Sequence, residues 1–311
     1  MNRTVSWAVV AVLALSACGN AAPSQPAVTG QSGGAVQRGG GQAYELLGTE
    51  VWDVPDPATG RSYQLFVSLP PSYGKEPQRR YPVLYVTDAD YAFPVVRQIA
   101  RRLNVEGPKI EEFILIGISY AKGDDPVASR RRDYTPTPNG PGDTPAGAIH
   151  GEGAKHQAWL RDRALPFVTG RYRAAPGRSI LLGHSYGGLL AAQILFSEPE
   201  MFGGYVLGSP SLWYDKRHML GVEAAYAARH RDLKAKVFVY TGEYEALRKG
   251  DSRYNQSVDL VADSRALADT LRRRGYPGLT LEAEILNGED HVSVAPRGFT
   301  RALKFLLPAQ K

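Results

Sequence analysis

The chain has one cysteine, Cys18, in 311 residues. No internal disulfide can form, and thiolate metal sites are excluded. Its six histidines are dispersed, and no two stand four apart in an H-x-x-x-H pair, so no metal and no cofactor is expected. A phosphate-binding P-loop and a dinucleotide fingerprint are both missing, as is any internal repeat. Charge of one sign is not concentrated either: 37 Lys and Arg face 31 Asp and Glu, for a net +6. The basic clusters at Arg79-Arg80, Arg101-Arg102, Arg130 to Arg132 and Arg272 to Arg274 are scattered, without interleaved aromatics. That excludes a nucleic-acid-binding face and leaves an anionic substrate or anionic lipid as the only partner class the charge favours.

What is present begins at the N-terminus. Met1-Asn2-Arg3-Thr4 is followed by an apolar run from Val5 to Leu15 and then by Leu15-Ser16-Ala17-Cys18. A basic start, an apolar stretch too short to span a bilayer and small residues before a cut site read as a secretory signal. The ending resembles the lipobox of bacterial lipoproteins, which implies lipid on Cys18. The alternative is a secreted protein cut near Ala17. Gly19, rather than an acidic residue, leans toward outer-membrane sorting and a periplasm-facing position. Residues 1–17 are thus read as signal peptide. Residues 18–42, rich in Gly, Gln, Ala, Pro and Ser, read as a flexible tether. Residues 43–311 read as one α/β domain, because no second linker appears, and a monomer is expected.

Short apolar runs bounded by Gly, Pro, Asp or Ser occur at Pro82–Thr87, Phe113–Ser119, Ser179–Leu182, Tyr205–Gly208 and Val237–Thr241. They predict central parallel strands covered on both faces. Arg61–Leu69 and Leu279–Leu286 alternate polar and apolar; the first predicts an antiparallel strand near a sheet edge and the second the last strand. Helical patterns lie at Pro94–Leu103, Gly153–Tyr172, Tyr186–Phe196, Asp259–Arg274 and Arg297–Leu307. This alternation predicts a mostly parallel, doubly wound sheet with its site at the carboxyl ends of the strands. Residues 121–151 and 211–230 break the pattern and are expected to be irregular rim loops.

Chemistry enters with Ile180-Leu181-Leu182-Gly183-His184-Ser185-Tyr186-Gly187-Gly188-Leu189-Leu190. A G-x-S-x-G between an apolar run and a helix-compatible run puts Ser185 on a sharp strand-to-helix turn, exposed as a nucleophile. Side chains at Gly183 and Gly187 would crowd that turn. A serine hydroxyl needs a base, and His291 stands in the polar turn Asn287–Ser293, after the last strand. His184 is expected to point away as a packed neighbour. The acid should lie between them in sequence. Glu243 and Glu245 follow the Val237 strand; the spacing favours Glu245, while Glu243 is nearer the strand. Asp259 and Asp263 read as helix-surface residues. The oxyanion hole needs two amides, one from Tyr186 and one from Ala89 or Asp90 in the turn after the Pro82 strand.

Taken together with Tyr81–Asp90, Arg132-Asp133-Tyr134-Thr135-Pro136, Gly208-Ser209-Pro210-Ser211-Leu212-Trp213 and Gly288-Glu289-Asp290-His291, these residues resemble the esterase D-like α/β-hydrolases, in particular the bacterial trilactone siderophore esterases. The resemblance implies an α/β-hydrolase fold without a separate cap domain, Ser185 as nucleophile and His291 as base. It implies a small-molecule ester as substrate. It also implies that the loop carrying Arg130, Arg132 and Tyr134 borders the pocket, where the arginines could pair with catecholates. Ala89 departs from the family's Asp-Gly-Asp turn and is expected to restrict the backbone there. Acyl transfer, feruloyl or carbohydrate-ester hydrolysis, and ligand binding on a catalytically inert scaffold are the competing readings.

Overall fold

The computed structural model describes residues 44–309 apart from residue 143. The signal segment, Cys18 and the tether lie outside the described residues. Eight strands form one sheet in the order β1-β2-β4-β3-β5-β6-β7-β8. They are β1 Thr49–Asp56, β2 Arg61–Ser68, β3 Tyr81–Val86, β4 Ile114–Ala121, β5 Ala174–His184, β6 Gly204–Gly208, β7 Ala235–Gly242 and β8 Leu279–Leu286. β1 pairs with β2 and β2 with β4 in antiparallel fashion, and all other neighbours are parallel. β2 is therefore one strand in from the edge. The edge itself is β1, whose mixed burial carries no clean alternation by which sequence could announce it.

The continuous apolar runs are explained by cover on both faces. In β3, Tyr81, Val83 and Tyr85 enter one core, while Leu84 and Val86 enter the other. A strand's side chains alternate between faces, so a strand buried on both sides has no room for polar residues. Helices α1 (Ala89–Leu103) and α8 (Val294–Leu306) cover one face. The other is packed against α3 (Gly153–Trp159), a π-helical turn at Leu160–Ala164, α4 (Leu165–Arg171), α5 (Tyr186–Ser197), α6 (Tyr214–Arg229) and α7 (Leu260–Arg274). Each fully buried Leu, Ile or Phe in these layers contributes about 1.5–3 kcal/mol.

Both segments expected to be irregular contain helix. Residues 121–151 hold the short α2 (Pro126–Asp133), and residues 211–230 are mostly α6. α6 buries Tyr214, Met219, Glu223 and Tyr226 while Ala224, Ala225 and Ala228 are exposed, so its apolar residues do not keep to one face and no helical period stands out. It also starts through three left-handed residues, Asp215, Lys216 and Arg217.

Candidate active site

Neighbouring parallel strands end side by side, and the residues just past their carboxyl ends form a row. Asp88 follows β3, Ser185 follows β5, Ser209 follows β6, and Glu245 closes a 3-10 turn after β7. Backbone bonds tie the first three steps together: Thr87 N–H donates to Leu182 O at 3.0 Å, Ser185 N–H to Gly208 O at 2.8 Å, and Ser209 N–H to Tyr240 O at 2.7 Å.

Ser185 has φ 60° and ψ −120°, a conformation that costs a non-glycine residue about 1–3 kcal/mol and persists only where the surroundings enforce it. The enforcement is visible. A Cβ on Gly183 would run into the carbonyl and backbone of Gly187, because β5 and the first turn of α5 fold back almost in contact. Backbone cannot rotate away as a flexible side chain does. Gly183→Ala is therefore expected to lower stability by about 3 kcal/mol or more, measured as a shift in the urea midpoint at unchanged slope; a shift below about 1 kcal/mol would contradict the packing described here.

His291 sits on the turn after β8 and faces Glu245, with its Nδ1 2.5 Å from Glu245 Oε2. The second carboxylate oxygen, Oε1, accepts from Ser209 Oγ at 2.5 Å and from the Gly242 amide at 2.8 Å. Glu245 is 1% exposed and the His291 side chain 39%, so the pair runs from the interior to the surface. Burial alone would raise the Glu245 pKa. The hydrogen bond and charge of His291 and the bonds from Ser209 and Gly242 outweigh it and hold the carboxyl below its ordinary value. For the turn to reach back from β8, its backbone must cross the end of β7, and it does so at Gly242, where a Cβ would strike Glu289 O. Tyr244 N–H to Glu289 O (2.9 Å) and Asp290 Oδ1, accepting from the Val292 and Ser293 amides, pin the turn.

Glu243, the alternative acid, does not meet the histidine. Its Oε2 accepts from the Gly288 amide at 2.8 Å and so braces the start of the same turn. The expected surface position of Asp263 is also overturned: it is 3% exposed and ion-paired to Arg217 at 2.6 Å. Asp259 caps α7 by accepting from the Ala262 amide.

The turn after β3 differs from expectation in one respect. The left-handed residue is Asp88, with φ 53°, and Ala89 already belongs to α1. Alanine there carries no backbone penalty. The Tyr91 and Ala92 amides bond to Asp88 O, while the amides of Ala89 and Asp90 belong to the first turn of α1, where helices leave donors over. Tyr186 is likewise the first residue of α5.

Of the three residues expected to border the pocket, the structure brings Arg130 to the open edge, sets Tyr134 beneath it next to Asp88, and turns Arg132 away. Its Nε donates to Asp88 Oδ1 at 2.9 Å, and its guanidinium lies 5.4 Å from the Tyr186 ring centre. Asp88 also accepts from Tyr120 Oη at 2.8 Å. Arg132 turns the other way, into bonds with Asp133 and Asp124 at 2.6–2.8 Å. Tyr134 is 1% exposed and is a core residue. Arg130 and Arg132 part because residues two apart on a short helix face different directions, which a loop reading did not resolve. Tyr134, four on from Arg130, keeps its side but is buried. A cavity of about 220 Å³ opens beside the elbow, lined among others by Asp88, Tyr91, Tyr120, Arg130 and His184.

Sequence reasoning missed Ser209, Tyr240 and Asp88 as parts of this site and gave His184 no function. Ser209 is the clearest omission: it bonds Glu245, and its φ of 36° marks a second tight strand-end turn. The Gly208-Ser209-Pro210 run was the available signal.

A mostly parallel sheet with a strained serine between strand and helix, and a histidine–carboxylate pair on later strand ends, defines an α/β-hydrolase. The model of the Esterase family matches residues 57–282. The chain belongs to that family and is a carboxylic-ester hydrolase. It is 28% identical to the ferri-bacillibactin esterase BesA of Bacillus subtilis (strain 168), over 86% of this chain and 93% of BesA. Among solved structures it is similar in fold to the BES protein from Bacillus cereus, with TM-score 0.70, 23% identity, and 89% of this chain and 100% of that one covered. The siderophore hydrolase EstA from Aspergillus nidulans matches with TM-score 0.71, 24% identity, and 83% and 94% covered.

Proposed function

We propose that this protein hydrolyses the ester or lactone bonds of a catecholate siderophore through an acyl-enzyme on Ser185. His291 takes the Ser185 proton as the hydroxyl attacks the carbonyl and returns it to the leaving alcohol. Glu245 holds the imidazole in the tautomer with hydrogen on Nδ1 and stabilises the imidazolium. The amides of Tyr186 and of Ala89 or Asp90 receive the oxyanion. Water then releases the acid by the same path. The observation that carries this reading is the chain Ser209–Glu245–His291, which ends at the sheet edge where Ser185 sits on its strained turn.

The substrate class rests on two supports. BesA and the other siderophore esterases among the relatives act, by their names, on siderophores. Arg130 with Tyr186 and half-buried Trp213, whose ring lies 6.3 Å from that of Tyr186, offers a cation among aromatic faces, suited to an anionic aromatic ligand. A signal peptide and lipid on Cys18 would hold the enzyme outside the cytoplasm, facing the periplasm, where imported chelates arrive. Product analysis tests the substrate. A catechoyl-serine trilactone is expected to be opened to linear acids with kcat/KM at least about tenfold above p-nitrophenyl butyrate and a feruloyl ester. Preference for the feruloyl ester would overturn the siderophore assignment.

A further inference from the structure

His184 precedes Ser185, and its ring makes two bonds that the proposed mechanism does not use. Nε2 lies 2.9 Å from the backbone carbonyl oxygen of His291, and Nδ1 lies 3.1 Å from Tyr240 Oη. A carbonyl can only accept, so Nε2 carries the hydrogen. Nδ1 then has a lone pair, and the Tyr240 hydroxyl must donate to it. The direction of the relay follows without ambiguity: Tyr240 O–H to His184 Nδ1, then His184 Nε2–H to His291 C=O. The His184 ring also packs 4.8 Å from the His291 ring, tilted 39°, and lies almost parallel to the Tyr240 ring at 15°.

Both ends of this relay are fixed. Tyr240 is fully buried on β7, and burial raises its pKa well above the ordinary value, so it remains a donor. Burial, followed by the charge His291 acquires, pushes His184 down to about 3, so the ring stays neutral with one hydrogen to give. Tyr240 has a second part in the same assembly: its own carbonyl receives the Ser209 amide at 2.7 Å, and Ser209 holds Glu245. One residue of β7 thus anchors both supports of His291. Ser209 and Glu245 hold the ring at Nδ1, and His184 holds the backbone.

We infer that His184 is a positioning residue for the proton-transfer step, fixing the His291 backbone by donation from Nε2 so that the imidazole is aimed at the neighbouring Ser185. The inference rests on the proposed roles of Ser185 and His291. Its physical need is plain. Tyr244 and Asp290 pin the flanks of the turn, and Glu245 grips one ring nitrogen. His184 bonds the backbone of His291 itself, so loss of that bond would let residue 291 shift and carry Nε2 away from the serine. A misplacement of about 1 Å is enough to cost roughly a hundredfold in rate.

Two amide side chains separate this role from simple packing. In His184→Gln the amide nitrogen falls where Nε2 was and can donate to the His291 carbonyl; in His184→Asn it falls where Nδ1 was and cannot reach. Wild type and both variants are compared by kcat and KM on p-nitrophenyl butyrate, by the rate of Ser185 phosphonylation with an alkyl fluorophosphonate, and by thermal unfolding. His184→Asn is expected to lose roughly 10- to 100-fold in kcat and in phosphonylation rate with KM nearly unchanged. His184→Gln is expected to stay within about threefold of wild type. Equal losses in Gln and Asn, or no loss in Asn, would overturn the inference while leaving the serine mechanism standing. No phosphonylation of wild type would overturn the serine mechanism and this inference with it. A third measurement needs no variant to fold: long-range nitrogen–proton correlation in the unaltered protein is expected to show His184 with hydrogen on Nε2 alone across about pH 5 to 9. Hydrogen on Nδ1 would refute the relay.

Discussion

Ser185→Ala is expected to lower kcat on p-nitrophenyl butyrate by about 10⁵–10⁶-fold while the protein remains cooperatively folded. The loss is that large because the hydroxyl opens the covalent route and alanine leaves nothing on that turn to carry the acyl group. The fold should survive because the turn is imposed by backbone packing of Gly183 on Gly187 and by the Ser185 amide on Gly208, neither of which involves Oγ. A residual rate of about 10³-fold over water is expected from the amides of Tyr186 and the β3–α1 turn. Turnover above about one per cent of wild type would show that Ser185 is not the nucleophile.

Glu245→Gln is expected to cost about 10⁴-fold in kcat, with Glu243→Gln within about threefold of wild type. The reasoning is a hydrogen-bond count. The Gly242 amide can only donate, so the glutamine oxygen must face Gly242 and Ser209. Its NH₂ then points at His291 Nδ1. That nitrogen is forced to accept, the hydrogen moves to Nε2, and the base presents a donor where it must take a proton. At Glu243 the glutamine oxygen still accepts from Gly288, so nothing at the histidine changes. Equal effects at the two positions would refute the assignment of Glu245.

The same substitution has a pH signature. Glu245 is held below its ordinary value of 4.5. A depressed carboxylate contributes stability above its unfolded pKa and loses it as pH falls through the folded one. Wild type should therefore lose more stability than Glu245→Gln below about pH 4.5. Urea midpoints from about pH 7 to pH 3 measure the difference; parallel curves would contradict the depressed carboxyl.

How much of this was legible depends on whether a residue's part is local. The central strands read correctly because burial on both faces leaves continuous apolar runs. The elbow read correctly because a sharp strand-to-helix turn needs its glycines within two residues of the serine. β1 and α6 were missed because their burial comes from partners distant in sequence and imprints no clean period. Arg132 was misread because a helix of eight residues was taken for a loop, and two positions of rotation separate an arginine on Asp88 from one buried against Asp133.

The sequence by itself determined the fold class, the serine on its turn, a histidine late enough to return to it and two carboxylates at the right strand end. Only the tertiary structure chose between those carboxylates. It also recruited Ser209 and Tyr240 and turned His184 from a packed neighbour into a support for His291. The physical reason is that a hydrogen bond depends on direction over about 3 Å. Such directions are set where β5, β6, β7 and the turn after β8 converge, far apart along the chain and adjacent only in the folded sheet.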